Sequence, residues 1–279
     1  EQAIKQYQRC QAALQQELDL SPMPKTTELY ERVVAARQAI PPLLPMTDGR
    51  FVGRQQELHQ LVDMLLAPAQ RLITIVGFGG IGKTRLAIAA AEQMNRELSV
   101  TFLNGVLFAP LANIFNAEDL PFLLAELLGV LLNSQRNPDE QLIAALRNRE
   151  MLLILDNFEQ LMAASPLLLK LMTHCPHIKL LVTSREPLYL SMESRLNLDG
   201  LAYPKDEFVA DFNTYDALQY FEQSAQQRQP AFALTAKNAP DAIRLSRVLA
   251  GSPLALRLAA QWLRTIRMAK MVAKRASDM

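Results

Sequence analysis

The chain is 279 residues long and half hydrophobic, with 29 lysines and arginines against 28 aspartates and glutamates and a net charge of +1. That length allows a sizeable core divided over two or three units, and the near-neutral balance excludes a global field drawing the chain to nucleic acid or membrane. No stretch approaches the roughly 20 apolar residues of a membrane span, no signal-peptide pattern opens the chain, and Cys10 and Cys175 lie too far apart in sequence to indicate a disulfide framework, so a cytoplasmic location is expected.

The chain opens inside a helical pattern, with Ile4, Tyr7, Leu14 and Leu18 on one face, as a piece of a longer protein would. Asp19-Leu-Ser-Pro-Met-Pro24 stops that helix. A second is expected from Thr26 or Thr27, both able to act as N-caps, through Leu29, Val33 and Ile40 to Pro41-Pro42. The pair makes an αα-hairpin, the unit from which helical repeats are stacked. A linker from about Pro41 to Arg50 leads to Phe51-Val-Gly-Arg54, followed by an amphipathic helix with Leu58, Leu61, Val62 and Leu65 at i, i+3, i+4 and i+7.

Residues 71–84 form a short β-branched run that breaks into Gly77-Phe-Gly-Gly-Ile-Gly-Lys-Thr84 and then into a helix-forming stretch from Arg85. The spacing is that of a phosphate-binding loop. Gly77, Gly79, Gly80 and Gly82 let the backbone turn its N–H groups toward an anion, and the following helix presents its positive N-terminus to the same point. Lys83 is placed to reach the β/γ-phosphates and the Thr84 hydroxyl to ligate Mg²⁺.

From residue 71 strands and helices alternate, the pattern of an α/β fold with a parallel sheet covered on both faces. Strands are predicted near 71–76, 100–108, 151–155 and 179–183, with a weaker one near 194–198. The apolar strand Met151-Leu-Leu-Ile-Leu155 delivers Asp156 to the carboxyl edge of the sheet, where it is expected to hold Mg²⁺ through water. The strand Lys179-Leu-Leu-Val-Thr183 brings Ser184 and Arg185 to the same edge, where a guanidinium can detect a γ-phosphate or simply end a strand. His174-Cys175-Pro-His177 has the look of a ligand cluster, but without a second cluster it reads as a helix end stopped by Pro176. Helices are predicted over 213–228 and 238–267. Gly251-Ser252 would end one helix and Pro253 open the next, since proline is tolerated at a first turn.

Taken together, Phe51-Val-Gly-Arg54, the 77–84 loop, Leu152-Leu-Ile-Leu-Asp-Asn157, Val182-Thr-Ser-Arg185 and Gly251-Ser-Pro-Leu-Ala-Leu256 stand in the order and spacing of the NB-ARC modules of STAND signalling ATPases. The resemblance covers about residues 50–265. The opening segment resembles the tail of a bacterial transcriptional activator domain, a pairing found in large bacterial regulators of the antibiotic-regulatory type. The resemblance implies a P-loop NTPase sheet domain over 45–200, a small helical subdomain over 201–267 and a truncated tail over 268–279, after the hairpin and linker of 1–44.

It further implies binding of ATP or ADP with Mg²⁺, a closed ADP-bound resting state and self-association in the ATP state. DNA contact would lie outside this chain, and no membrane contact is expected. Val52 and Arg54 would lie at the adenine end, Gly77, Gly79, Gly80, Ile81, Gly82, Lys83, Thr84 and Arg85 around the phosphates, Arg185 at the γ-phosphate and Pro253 against the base. Asp156 and Glu159 are the catalytic candidates, with Thr84 and Asp156 as the metal ligands. Relatives with two adjacent acidic residues after the strand differ from this chain, which has Asp156-Asn157, so slow hydrolysis is expected, with Glu159 able to compensate from the next turn. A metabolic P-loop kinase, a mechanical AAA-type ATPase and a helical adaptor without nucleotide stay open as alternatives.

Overall fold

The computed structural model describes residues 2–36, 44–46, 49–97, 102–206, 209, 211–263 and 268. In chain order these form α1 (Gln2–Leu18), α2 (Pro24–Ala36), α3 (Gln55–Leu66), β1 (Leu72–Val76), α4 (Lys83–Glu97), β2 (Val106–Pro110), α5 (Leu120–Leu127), α6 (Pro138–Leu146), β3 (Met151–Asp156), α7 (Ser165–His174), β4 (Ile178–Ser184), β5 (Glu193–Asn197), α8 (Asp216–Gln226), α9 (Ala239–Val248) and α10 (Pro253–Trp262).

The strands form one parallel sheet in the order β2-β3-β4-β1-β5. Parallel pairing requires crossovers that lay helices on the sheet faces, and the strand residues alternate accordingly. Leu153 and Leu155 of β3, with Leu107, Leu180 and Val182, pack into the core beneath α5, α6 and α7. Their neighbours Leu152 and Ile154, with Ile73, Ile75 and Leu181, pack into the opposite core beneath α3 and α4. β3 is therefore buried along its whole length. The order places β4 between β1 and β3, so the segments leaving all three strands converge at the carboxyl edge, the usual ligand edge of an open α/β sheet.

Two basic side chains close helix ends against the sheet. Helix C-termini leave carbonyls without partners, and the Arg71 guanidinium answers those of α7, donating to Met172 O at 2.9 Å and Cys175 O at 2.5 Å. Lys179 donates to Ala67 O, just past α3, at 2.6 Å. Burial pushes the Lys179 ammonium down to about 8, with the nearby Arg71 charge adding to the shift.

A third core joins α8, α9 and α10 through Leu218, Phe221, Ile243 and Leu256, with Phe221 and Phe232 edge to face at 6.1 Å. The α9–α10 corner is a Schellman turn. Ala250 and Gly251 take positive φ (48° and 64°), and Gly251 N donates to Ser246 O at 2.9 Å. This corner rests on the strap leaving β5, where Leu201 N donates to Gly251 O at 2.9 Å.

Several elements begin away from their sequence-predicted positions. β2 starts at Val106 because residues 102–105 turn, with Gly105 at φ 85° and its N–H on Phe102 O at 2.9 Å; residues 100 and 101 of the predicted strand lie outside the described residues. α2 starts at Pro24, so Thr26 and Thr27 sit within its first turn and donate their N–H groups to Met23 O. The Thr27 hydroxyl instead accepts from Tyr7 at 3.0 Å, beside the stacked pair Tyr7 and Tyr30. Ile4 and Tyr7 are buried while Leu18 and Leu29 are exposed, so the hairpin covers only part of the apolar face read from sequence. Ile40 and the helix end at Pro41-Pro42 fall outside the described residues. α7 ends at His174 as its sequence indicates, with Cys175 buried and His174 exposed.

Gly200 fixes how closely the helical unit approaches the sheet domain, since a Cβ there would stand 1.9 Å from Ala250 O. Gly200→Ala is expected to cost about 2 kcal/mol and lower the melting midpoint by about 4–8 °C. Calorimetry of the purified chain measures it, and an unchanged midpoint would show that the strap has room to move.

Candidate functional site

The loop after β1 is held from below before it meets any ligand. Gly77 N donates to Ser184 O at 3.2 Å, and a Cβ on Gly77 would lie 2.5 Å from Leu198 O. The loop is thus wedged between the ends of β4 and β5, where only glycine fits. Gly80 and Gly82 take φ of 73° and 102°, which turns successive peptides toward one point. Lys83 is buried and folds back, its Nζ donating to Gly77 O at 2.7 Å and Phe78 O at 3.1 Å. Burial lowers its proton affinity and the carboxylates of Glu159 and Asp156 work against that, while the Arg185 charge lowers it further.

Asp156, at the end of β3, is buried, and its Oδ1 accepts from two hydroxyls, Thr84 at 2.6 Å and Thr183 at 2.6 Å. Thr183 in turn accepts from Asn157 N at 3.0 Å. Asn157 stands at φ 66°, a conformation asparagine tolerates better than most residues. The chain then enters a 3-10 turn over Phe158–Gln160 that carries Glu159 back toward the loop. There Glu159 Oε1 meets Arg185 Nε at 3.0 Å.

Two adjoining cavities, of about 400 and 290 Å³, occupy the cleft above the loop and share Gly82, Arg85, Tyr220, Pro253 and Arg257. The larger is bordered by Val52 and Arg54, and the smaller by Gly79, Gly80, Lys83, Thr84, Glu159 and Arg185. Gly77 and Ile81 lie behind the loop, Ile81 with its side chain in the α3–α4 core, and Asp156 reaches the cleft through Thr84. The sequence-predicted set is therefore gathered at one cleft, with Gly77, Ile81 and Asp156 in supporting positions.

Arg54 is only 4% exposed, and its Nη2 donates to Ile81 O at 2.8 Å and Asp199 O at 2.7 Å. Burial lowers its proton affinity, opposed by Glu57, Asp216 and Asp199. Its backbone N–H donates to Asp216 Oδ2 at 2.9 Å at the start of α8. The same carboxylate explains Gly53, whose Cβ would fall 2.3 Å from Asp216 Cγ. The Phe51-Val-Gly-Arg54 segment thus straps the P-loop to the helical unit as well as bordering the cleft.

Sequence reading passed over Tyr220 and Arg257, which border both cavities. Tyr220 sits on an ordinary amphipathic helix and carries no local signal. Arg257 had one, since it lies four residues after Pro253 and so shares its helix face. The α10 N-terminus touches the loop directly, with Leu254 N donating to Gly80 O at 3.2 Å. Among the described residues no group of three or more His, Cys, Asp or Glu side chains gathers to hold a metal, and no helix is long and apolar enough to cross a membrane.

Residues 50–183 match the AAA ATPase domain family, and residues 1–34 match the bacterial transcriptional activator domain. A Mycobacterium tuberculosis protein named as a candidate HTH-type transcriptional regulator is 31% identical over 202 residues, covering 72% of this chain and 21% of that protein. The regulatory protein AfsR of Streptomyces griseus is 28% identical over 210 residues, covering 66% of this chain and 21% of that protein. The chain spans only about a fifth of the length of these relatives. In fold it is similar to Cdc6p of Pyrobaculum aerophilum, with a TM-score of 0.53 at 18% identity over 79% of this chain and 62% of that one. Residues 50–183 are therefore similar to AAA ATPase domains and, with their phosphate loop and parallel sheet, have a P-loop NTPase fold, and residues 1–34 are similar to the bacterial transcriptional activator domain.

Proposed function

We propose that this chain is the nucleotide-switch core of a STAND-type bacterial transcriptional regulator, closed around ADP at rest, opened by exchange for ATP and slow to hydrolyse it. The observation that carries the reading is the joint between the two units. Leu254 N–H bonds to the loop carbonyl of Gly80 at 3.2 Å, and Pro253 borders the same two cavities as Gly82. A ligand in this cleft touches both units, so its identity can bias how they sit.

The residues present fit a magnesium nucleotide. A Cβ built on Gly82 would meet only Pro253 Cγ, in ordinary van der Waals contact at 3.8 Å, so the loop borders the cleft without crowding. Lys83 already donates to loop carbonyls and can exchange them for phosphate oxygens. Thr84 and Asp156 supply paired hard oxygen donors, which suit Mg²⁺; when bound there, the ion would neutralise charge on the β- and γ-phosphates. Val52, Arg54 and Pro253 take the base end in this reading, Arg85 and Arg185 the phosphate end, and Glu159 orients or deprotonates water. Glu159 Oε2 is buried without a hydrogen-bond partner, which supports a further polar occupant of the smaller cavity.

The division into an activator tail (1–44), a sheet domain (45–200) and a helical subdomain (201–267) belongs to the same proposal. The relatives' names support a role in transcription, with DNA contacted through a region outside this chain and self-association following release of the helical unit.

Lys83→Ala is expected to abolish nucleotide binding and leave the fold intact. ADP at 100 times its dissociation constant should stabilise the wild type by about 2.7 kcal/mol, a melting shift of roughly 5–10 °C; an equal shift in the variant would sink the assignment.

Pro253→Ala should weaken ADP binding. In the wild type, hydrogen exchange over residues 245–260 should slow when ADP is added, and no change there would reduce Pro253 to a turn residue.

Because Asn157 cannot accept a proton and Glu159 is held in its ion pair with Arg185, much of the roughly 10²- to 10⁴-fold that a general base contributes is withheld, and turnover should stay below about 1 s⁻¹, under the kinase range. Phosphate release under saturating ATP and Mg²⁺ measures it, and sustained faster turnover would favour an enzyme or a motor.

A further inference from the structure

The ion pair between Arg185 and Glu159 is unequal. The arginine side chain is 68% exposed and the glutamate 14%. Their contact uses Nε and Oε1 at 3.0 Å, while the second carboxylate oxygen is buried without a partner. Arg185 also lies across the phosphate loop, its guanidinium atoms 3.6–3.8 Å from a Cβ built on Gly79. Both side chains border the smaller cavity together with Lys83, so the pair stands within the phosphate end of the cleft. Glu159 reaches this place because Asn157 turns the chain at φ 66°.

A guanidinium in this position has two acceptors to choose from. One is the fixed carboxylate of Glu159. The other is the terminal phosphate of a nucleoside triphosphate, which a diphosphate lacks. Resting on the nucleotide-switch reading above, we infer that Glu159 is a specificity-determining residue: it competes with the γ-phosphate for Arg185 and so lowers the preference of the site for triphosphate over diphosphate. A triphosphate must draw Arg185 away from Glu159 before gaining its charge-assisted hydrogen bond, whereas a diphosphate leaves the pair intact. The effect is bounded by the exposure of the arginine. Pairs with a solvated partner are weak, so the competition changes the preference by a few-fold, not by orders of magnitude.

The test is the ratio of dissociation constants for ADP and a non-hydrolysable ATP analogue, measured by titration calorimetry at fixed Mg²⁺ in the wild type, Glu159→Gln, Arg185→Gln and the double variant. Glu159→Gln is nearly isosteric, and its melting curve reports folding. Removing the carboxylate should raise the preference for the triphosphate about three- to fivefold, the upper value corresponding to about 1 kcal/mol. In the Arg185→Gln background the same change should leave the ratio where it was. An unchanged ratio in Glu159→Gln overturns the inference. So does a rise that persists without Arg185, because any loss of negative charge near the phosphates would then be its cause. Failure of the wild type to bind either nucleotide overturns the switch reading and this inference together, and the other failures leave the switch reading standing.

Discussion

Asp156 Oδ1 accepts hydroxyl hydrogens from Thr84 and Thr183 at 2.6 Å each, and the arrangement of the cleft depends on this three-way contact. Thr84 opens the helix after the phosphate loop, Asp156 ends β3, and Thr183 lies on β4 between them. A buried carboxylate is costly unless it is hydrogen-bonded, so the contact fixes the relative height of three elements. The relay continues through Thr183 to the backbone of Asn157, which sets the turn that brings Glu159 back over the loop. Displacing Thr183 would leave the Asn157 N–H without this acceptor, and displacing Asp156 would take the acceptor from both hydroxyls.

Much of this cleft was legible in the chain itself. The glycine spacing of residues 77–84 and the abrupt change from β-branched to helix-forming residues located the phosphate loop. The apolar run before Asp156 and the strand before Arg185 put both residues at the carboxyl edge, and Pro253 stood where only a helix start tolerates it. Strand order was not legible, because β1 to β4 read as apolar runs whichever neighbours they have. The role of Thr183 therefore appears only once β4 is seen between β1 and β3. Arg71 and Lys179 were silent for a similar reason, since they cap helices that are distant in sequence. β2 was mispositioned because the turn at Asn104-Gly105 was outweighed by the apolar residues before it.

The motif at residues 51–54 carries a second lesson. A sequence pattern associated with ligand contact can owe its residue types to scaffolding. Gly53 is required by the Asp216 carboxylate against which it packs, and Arg54 has committed Nη2 of its guanidinium to the carbonyls of Ile81 and Asp199. These bonds tie the segment before α3 to the back of the phosphate loop, to the exit of β5 and to the start of α8. The helical unit is thus tied to the base of the cleft through hydrogen bonds of Arg54.

The joint between Leu254 N–H and Gly80 O is written in the main chain. A main-chain hydrogen bond is indifferent to the side chains that flank it, so most residues at position 254 would preserve it and proline, which lacks the donor, would not. Gly80 contributes through its positive φ and through the absence of a Cβ that would press on Leu254 at 2.7 Å. The two units can therefore keep a common docking geometry while their surfaces diverge. Sequence drift on the outer face of α10 would then alter what the helical unit meets on its far side without altering how it sits on the phosphate loop.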